Sequence, residues 1–147
     1  MDSNFAFEVA DTARLMRRAF DRRAAELGVT RAQWRVLSRL ARQDGQKQVD
    51  LADALDVEPI TLCRMIDRLE EAGLVERRPA AFDRRAWQIH LTAKARPINE
   101  KLSAVAEGFL EDVLEGVSDE EVRQVREILE RVRANIAGAD EAGRRSL

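Results

Sequence analysis

The sequence predicts a mainly α-helical fold that carries one small β-hairpin. Three observations point there: long stretches with apolar residues at helical spacing, helix-start signals at Thr30, Pro59 and Ser118, and one short region, residues 74–91, where the spacing changes to alternation. A chain of 147 residues suffices for one domain with a buried core. Hydrophobic residues make up 45% and charged residues 35%, which is too apolar for a disordered chain.

The first helix is predicted from Asn4 to Leu27, with Phe5, Val9, Leu15, Met16 and Phe20 at helical spacing and Gly28 as its left-handed terminator. Thr30 and Gln33 form a capping box for a second helix, whose face of Trp34, Leu37, Leu40 and Ala41 runs to an Asp44-Gly45 turn. A short helix spans about Val49 to Leu55. After a break at Asp56 to Glu58, Pro59 opens a fourth helix at the position where its missing N–H costs nothing, and Gly73 closes it after Ala72.

Leu74 to Arg78 then reads as a strand, Pro79 to Arg85 as a polar loop, and Ala86 to Leu91 as a second strand with Trp87, Ile89 and Leu91 alternating. Thr92 is expected to cap a long helix ending at Glu115, with Pro97 near its start. Ser118 and Glu121 form another capping box, for a helix carrying Val122, Val125, Ile128, Leu129, Val132 and Ile136. Residues 138–147 are polar and are expected to fray.

Net charge is −2, so the molecule as a whole gives no reason to expect a nucleic-acid partner. The distribution differs. From Glu76 to Arg96 six basic residues stand against two acidic ones, while from Pro97 to Leu147 seven basic residues stand against twelve acidic. A basic centre suits phosphate contact; chance clustering of solvated charge is the plainer explanation of the same numbers. One cysteine, Cys63, and one histidine, His90, leave no intrachain disulfide and no Cys/His metal site, so no metal or other cofactor is expected. No apolar run is long enough for a membrane span, and the N-terminal stretch lacks a signal-peptide pattern. The expected location is cytoplasmic.

A short helix, a tight turn, a second helix and a hairpin with a basic tip follow one another within about 45 residues, the arrangement of a winged helix-turn-helix. On the fourth helix Leu62, Met65, Ile66 and Leu69 form one buried face, which leaves Thr61, Arg64 and Arg68 along an outer edge. Such an edge suits the major groove, where an arginine can grip guanine for roughly 1 to 3 kcal/mol of base discrimination. In the competing reading this is a solvated helix whose arginines pair with Asp67, Glu70 and Glu71. Asp83-Arg84-Arg85 places two cations at the expected hairpin tip, with the carboxylate able to aim one guanidinium into a minor groove. A weak surface ion pair is the alternative. Arg77 and Arg78, at the base of the hairpin, are expected to touch phosphates.

The stretches PITLCRMIDRLEEAGLVERR and FDRRAWQIHLTAKARPI closely resemble the MarR (multiple antibiotic resistance regulator) family, particularly its SlyA-like branch. The LxxAGLVER junction and the DRRA...LT segment carry the resemblance, and the flanking helices match in order and length. It implies a homodimer joined through the first, fifth and sixth helices, with recognition helices in consecutive major grooves of double-stranded DNA and wings in the flanking minor grooves. Pro59, Thr61 and Arg64 match the family's recognition-helix contacts. Arg85 matches its wing arginine, with Arg84 beside it and Asp83 as orienting partner, whereas Arg68 falls where the family varies.

The apolar faces of the terminal helices are too extensive for a small winged head to cover, which suggests pairing with a second copy; burial inside one monomer is the alternative. Phe5, Val9, Phe109, Val125, Leu129 and Val132 are the candidate interface residues. The expected organisation is thus a single domain: a reading head over about 30–92, dimerisation helices over about 1–29 and 93–137, and a tail over 138–147.

The resemblance also implies release of DNA by a small-molecule effector, such as an aromatic acid or its thioester, in a cleft between dimer region and head. Trp34, able to stack on an aromatic ring, and Arg17, able to meet a carboxylate, are the candidates, each with a plainer reading as core residue and solvated charge. Cys63 reads as small-residue packing or as a thiol open to oxidation without a resolving partner.

Two other classes compete. For an enzyme the sequence offers no phosphate loop, nucleophile elbow or recognisable pair of catalytic carboxylates, and His90 sits on a hairpin strand, as plain surface or a phosphate contact. A winged-helix protein-interaction module, or a DNA-binding protein that answers to no ligand, shares the fold. Arg64 together with Arg84 and Arg85 argues against the interaction module. Repression, by steric blocking, is the expected output.

Overall fold

Capping chemistry sets several boundaries in the structure, a computed structural model that describes residues 4–146 apart from the side chain of Arg84. Helix α1 is Phe5–Glu26 and α2 is Arg31–Arg42. At the start of α2 the Thr30 hydroxyl accepts from the Gln33 backbone N–H at 3.2 Å, and the Gln33 side chain accepts from the Thr30 N–H at 3.0 Å. Strand β1, Gln46–Lys47, leads directly into α3, Gln48–Ala54. Helix α4, Pro59–Glu71, begins on its proline and is followed by β2, Val75–Ala80, and β3, Asp83–Leu91. Helices α5, Ala95–Val113, and α6, Asp119–Arg145, complete the chain.

The three strands form an antiparallel sheet in the order β1-β3-β2. Gln46 pairs with Ile89 and Lys47 with Gln88, so the hairpin is tied to the segment between α2 and α3. Gly45 makes this approach possible. Its φ is +72°, and a Cβ there would lie 2.8 Å from Cε1 of His90. β1 has no counterpart in the sequence reading, because two residues are too few to display alternation.

The core of this part gathers one stripe from each helix: Val36, Leu37 and Leu40 from α2, Leu51 from α3, and Leu62, Ile66 and Leu69 from α4. Val75 and Ile89 complete it from the sheet. Each large aliphatic side chain buried this way contributes about 1.5–3 kcal/mol. With the inner stripe of α4 so anchored, its opposite edge must face outward.

Other boundaries differ from the sequence reading. The expected polar loop over 79–85 is mostly strand, since β2 runs to Ala80 and β3 starts at Asp83. Thr92 does not cap α5; its hydroxyl donates to the Gly73 carbonyl at 2.5 Å, tying the end of β3 to the end of α4. Helix α5 therefore starts at Ala95 and stops at Val113. Phe109, expected at a dimer interface, is only 5% exposed. Its ring meets Phe20 edge-on at 5.7 Å and lies 5.3 Å from the Arg23 guanidinium, so the chain's own interior uses it.

Contacts divide the chain into two compact units, one ending at Phe109 and one beginning at Leu110. In the second, the Ser118 hydroxyl accepts from the Glu121 N–H at 3.1 Å and Glu121 accepts from the Ser118 N–H at 3.0 Å. Helix α6 continues through the expected frayed tail to Arg145. The alanines between its glycines favour helix, and Arg144 and Arg145 complement the helix dipole at its end. No helix among the described residues is long and apolar enough to cross a membrane.

Candidate nucleic-acid interface

Pro59, Thr61, Arg64 and Arg68 are all exposed on α4, opposite its buried stripe. No side chain caps the N-terminus of this helix, and its first turn carries no acidic residue. Its leading N–H groups and positive dipole end are therefore available to an anion.

Arg77 occupies a place the sequence did not suggest. Its side chain is 15% exposed and donates to Asp67 at 2.7 Å and to Glu70 at 3.1 Å. It also donates to Gln48 at 3.2 Å and to the Cys63 carbonyl at 3.1 Å, while its backbone N–H meets Glu70 at 3.0 Å. Burial alone would lower its pKa, but the hydrogen bond and charge of Asp67, with the charge of Glu70, leave it raised. Arg77 is thus a tie between β2, α3 and α4 rather than a free phosphate contact.

That tie has a second effect. Asp67 stands at the i, i+3 spacing from Arg64 and could have neutralised it, but Arg77 engages it together with Glu70. Arg64 and Arg68 have no ion-pair partner among the described residues. Cys63, half-buried, has its sulfur 3.7 Å from the Arg77 guanidinium, inside the same tie.

The hairpin is built differently from its expected form. It turns at Ala81 and Phe82, and its register jumps from Pro79 opposite Trp87 to Ala80 opposite Asp83. Residues 84–86 are the surplus, so the two arginines sit on a bulge beside the tip and not at the tip. Asp83 holds that bulge by accepting the backbone N–H of Arg85 at 2.9 Å, where a guanidinium partner was expected. Arg85 is exposed; the Arg84 side chain lies outside the described residues. Arg78 pairs with Glu76, its Nε 2.6 Å from the carboxylate, and His90 faces Asp44 at 3.7 Å.

A family model described as the MarR family matches residues 29–87, from the start of α2 into the hairpin. The solved structure of the transcriptional regulator PA3341 is 40% identical, covers 91% of this chain and 98% of its own, and superposes with a TM-score of 0.83. The chain belongs to the MarR family. A MarR protein from Peptoclostridium difficile is similar at 27% identity over 95% of this chain and 91% of its own, with a TM-score of 0.78. The transcriptional regulator SlyA is similar at 26% identity over 93% and 96%, with a TM-score of 0.76. The matched stretch of this MarR-family chain runs from α2 into β3 and carries Arg64, Arg68 and Arg85.

Away from these residues, Arg17 and Trp34 line one cleft of about 800 Å³. The Trp34 indole N–H donates to Asp21 at 2.6 Å and its ring meets Phe20 edge-on at 4.8 Å, while Arg17 is exposed. The sequence reading overlooked the rest of that lining. Arg31, Arg35, Arg39 and Arg42 follow one another along α2 at intervals of four, four and three, a helical stripe visible in the sequence.

Proposed function

We propose that this MarR-family DNA-binding transcriptional regulator is a homodimeric repressor that holds a near-palindromic operator and releases it when a small aromatic or acidic effector docks. We read it as a SlyA-like member of the family that works in the cytoplasm. Arg64 reads a base in the major groove, Thr61 and the start of α4 from Pro59 hold base or phosphate, and Arg85 with Arg84 enters the minor groove. Arg68 adds a phosphate contact. The observation that carries this reading is the outward edge of α4 with Arg64 and Arg68 outside any ion pair among the described residues, Arg77 having drawn Asp67 away from Arg64.

Dimerisation is supported by apolar residues exposed at helical spacing: Phe5 and Val9 on α1, and Val125, Ile128 and Ile136 on α6, with Leu129 and Val132 half-buried. Arg17 and Trp34, on one cleft, support an effector site there.

Selection of bound fragments from a random duplex pool tests the DNA reading. An inverted repeat with half-sites about 10 bp apart is expected. On the selected duplex Arg85→Ala should weaken binding and lower the slope of log K against log salt by about 0.9, with folding unchanged. Arg64→Ala should lose roughly 1 to 3 kcal/mol of discrimination at one base pair of each half-site. Failure to enrich any sequence, or equal binding by both variants and the parent, overturns the proposal.

A further inference from the structure

Five guanidinium groups line the cleft that holds Arg17 and Trp34: Arg17 from α1 and Arg31, Arg35, Arg39 and Arg42 from α2. Among the lining residues the only carboxylate is Asp56. Arg31 is compensated by Asp21, through a hydrogen bond of 2.6 Å. Arg35 is turned to the Leu55 carbonyl. Arg17, Arg39 and Arg42 have no ion-pair partner among the described residues. Burial first, and then the charges of Arg17, Arg31 and Arg39, push the Arg35 guanidinium below its ordinary pKa. Like charges gathered at a partly buried position are unfavourable until an anion joins them.

Beside this cleft lies a smaller slot of about 220 Å³, and Trp34, Ser38 and Arg42 border both. Its walls include Phe20, Ala41, Leu102 and Ala106. One polar atom there is unsatisfied: Oδ1 of Asn99, which also lines the slot, is buried without a hydrogen-bond partner. A buried acceptor in that state favours a ligand that brings a donor.

We propose that the effector is a phosphate ester carrying an aromatic or similarly compact apolar group, with its multiply charged end among the arginines and its apolar end in the slot beside Asn99. The inference rests on the effector reading above and gives that effector its chemical class. A monocarboxylate brings a single charge to four guanidinium groups without an ion-pair partner among the described residues, since the carbonyl that Arg35 meets is neutral. A phosphate monoester brings nearly two, and the stripe from Arg31 to Arg42 extends about 16 Å, long enough for further phosphates. Arginine's planar fork suits phosphate oxygens in particular. A hydroxyl on the apolar end supplies the donor that Asn99 lacks.

Calorimetric titration of the full chain with phenyl phosphate, 4-hydroxyphenyl phosphate and benzoate tests this. Phenyl phosphate is expected to bind at least ten-fold more tightly than benzoate. The paired substitution Arg39→Gln, Arg42→Gln should cost it at least ten-fold, while Arg18→Gln, which removes an α1 charge outside the cleft, should not. The hydroxyl should improve binding to the parent and not to Asn99→Ala. Equal affinity for benzoate, equal effects of Arg18→Gln and the cleft pair, or no binding of phenyl phosphate overturns the inference. So does a drop in the salt slope of DNA binding in the cleft pair without phosphate-ester binding, since the arginines would then serve DNA. Adding each compound to the DNA complex separates the two claims. Phenyl phosphate that binds but leaves DNA bound keeps the site and refutes the effector reading; release by benzoate alone does the reverse.

Discussion

Arg77 shows how one residue can set the charge of its neighbours without touching a ligand. Of its two partners, Asp67 lies three residues after Arg64, the i, i+3 spacing at which the two would otherwise pair, while Glu70 lies two after Arg68. Replacing Arg77 by Met should lower stability by about 1–3 kcal/mol, measured by denaturant unfolding, because charge-assisted hydrogen bonds are lost. DNA affinity should fall with it. Adding Asp67→Asn and Glu70→Gln should restore much of that affinity if the released carboxylates are the cause; no recovery would mean that Arg77 meets phosphate itself. The sequence could not reveal this. Residue 77 reads as one more cation in a basic stretch, and only the fold brings it 2.7 Å from Asp67. Asp21 is a second such residue. Burial raises its pKa, but hydrogen bonds from Arg31 and Trp34 outweigh that and hold it below the ordinary 3.8. Its folded-state pKa being depressed, the stabilisation is complete above the unfolded value and disappears as pH falls through the folded one. Trp34 fluorescence should therefore change below about pH 4, and Asp21→Asn should remove that change.

Among elements, legibility followed the strength of the local chemistry. Both capping boxes and the proline start of α4 were readable because each depends on residues three positions apart or on one side chain alone. Ser118→Ala is accordingly expected to cost about 1 kcal/mol and to increase hydrogen exchange in the first turn of α6; unchanged exchange would show that the cap is idle. The hairpin was legible as a hairpin, yet its bulge was not. Register depends on pairing between residues distant in sequence, and nothing in the stretch PAAFDRRA fixes how many residues leave the ladder. β1 failed for a related reason, since its two residues are strand only because Ile89 and Gln88 pair with them. The outward arginines of α4 were predictable from periodicity; the arginine stripe of α2 had the same periodicity and was passed over in favour of its apolar face.

For the whole molecule, the sequence made the family recognisable through a set of short motifs in order, and the fold agrees across nearly the full chain. Phe109 was misassigned because an aromatic residue on an amphipathic helix reads alike whether its ring is covered by its own chain or by another. Val125 is half-exposed in the single chain, and Val125→Asp is expected to shift sedimentation from a species of twice 16.7 kDa toward one of 16.7 kDa. Operator binding should weaken in parallel, although no DNA-facing residue has changed. A dimer that persists unaltered would remove this helix face from the interface.

The tie among positions 67, 70 and 77 also has an evolutionary consequence. Losing the cation alone would strand two negative charges beside the arginines of α4, and losing the acids alone would leave a cation in a half-buried site. Lineages descending from this sequence should therefore exchange the three together, as a co-varying triplet, and a neutral residue at 77 should be accompanied by amides or apolar side chains at the other two.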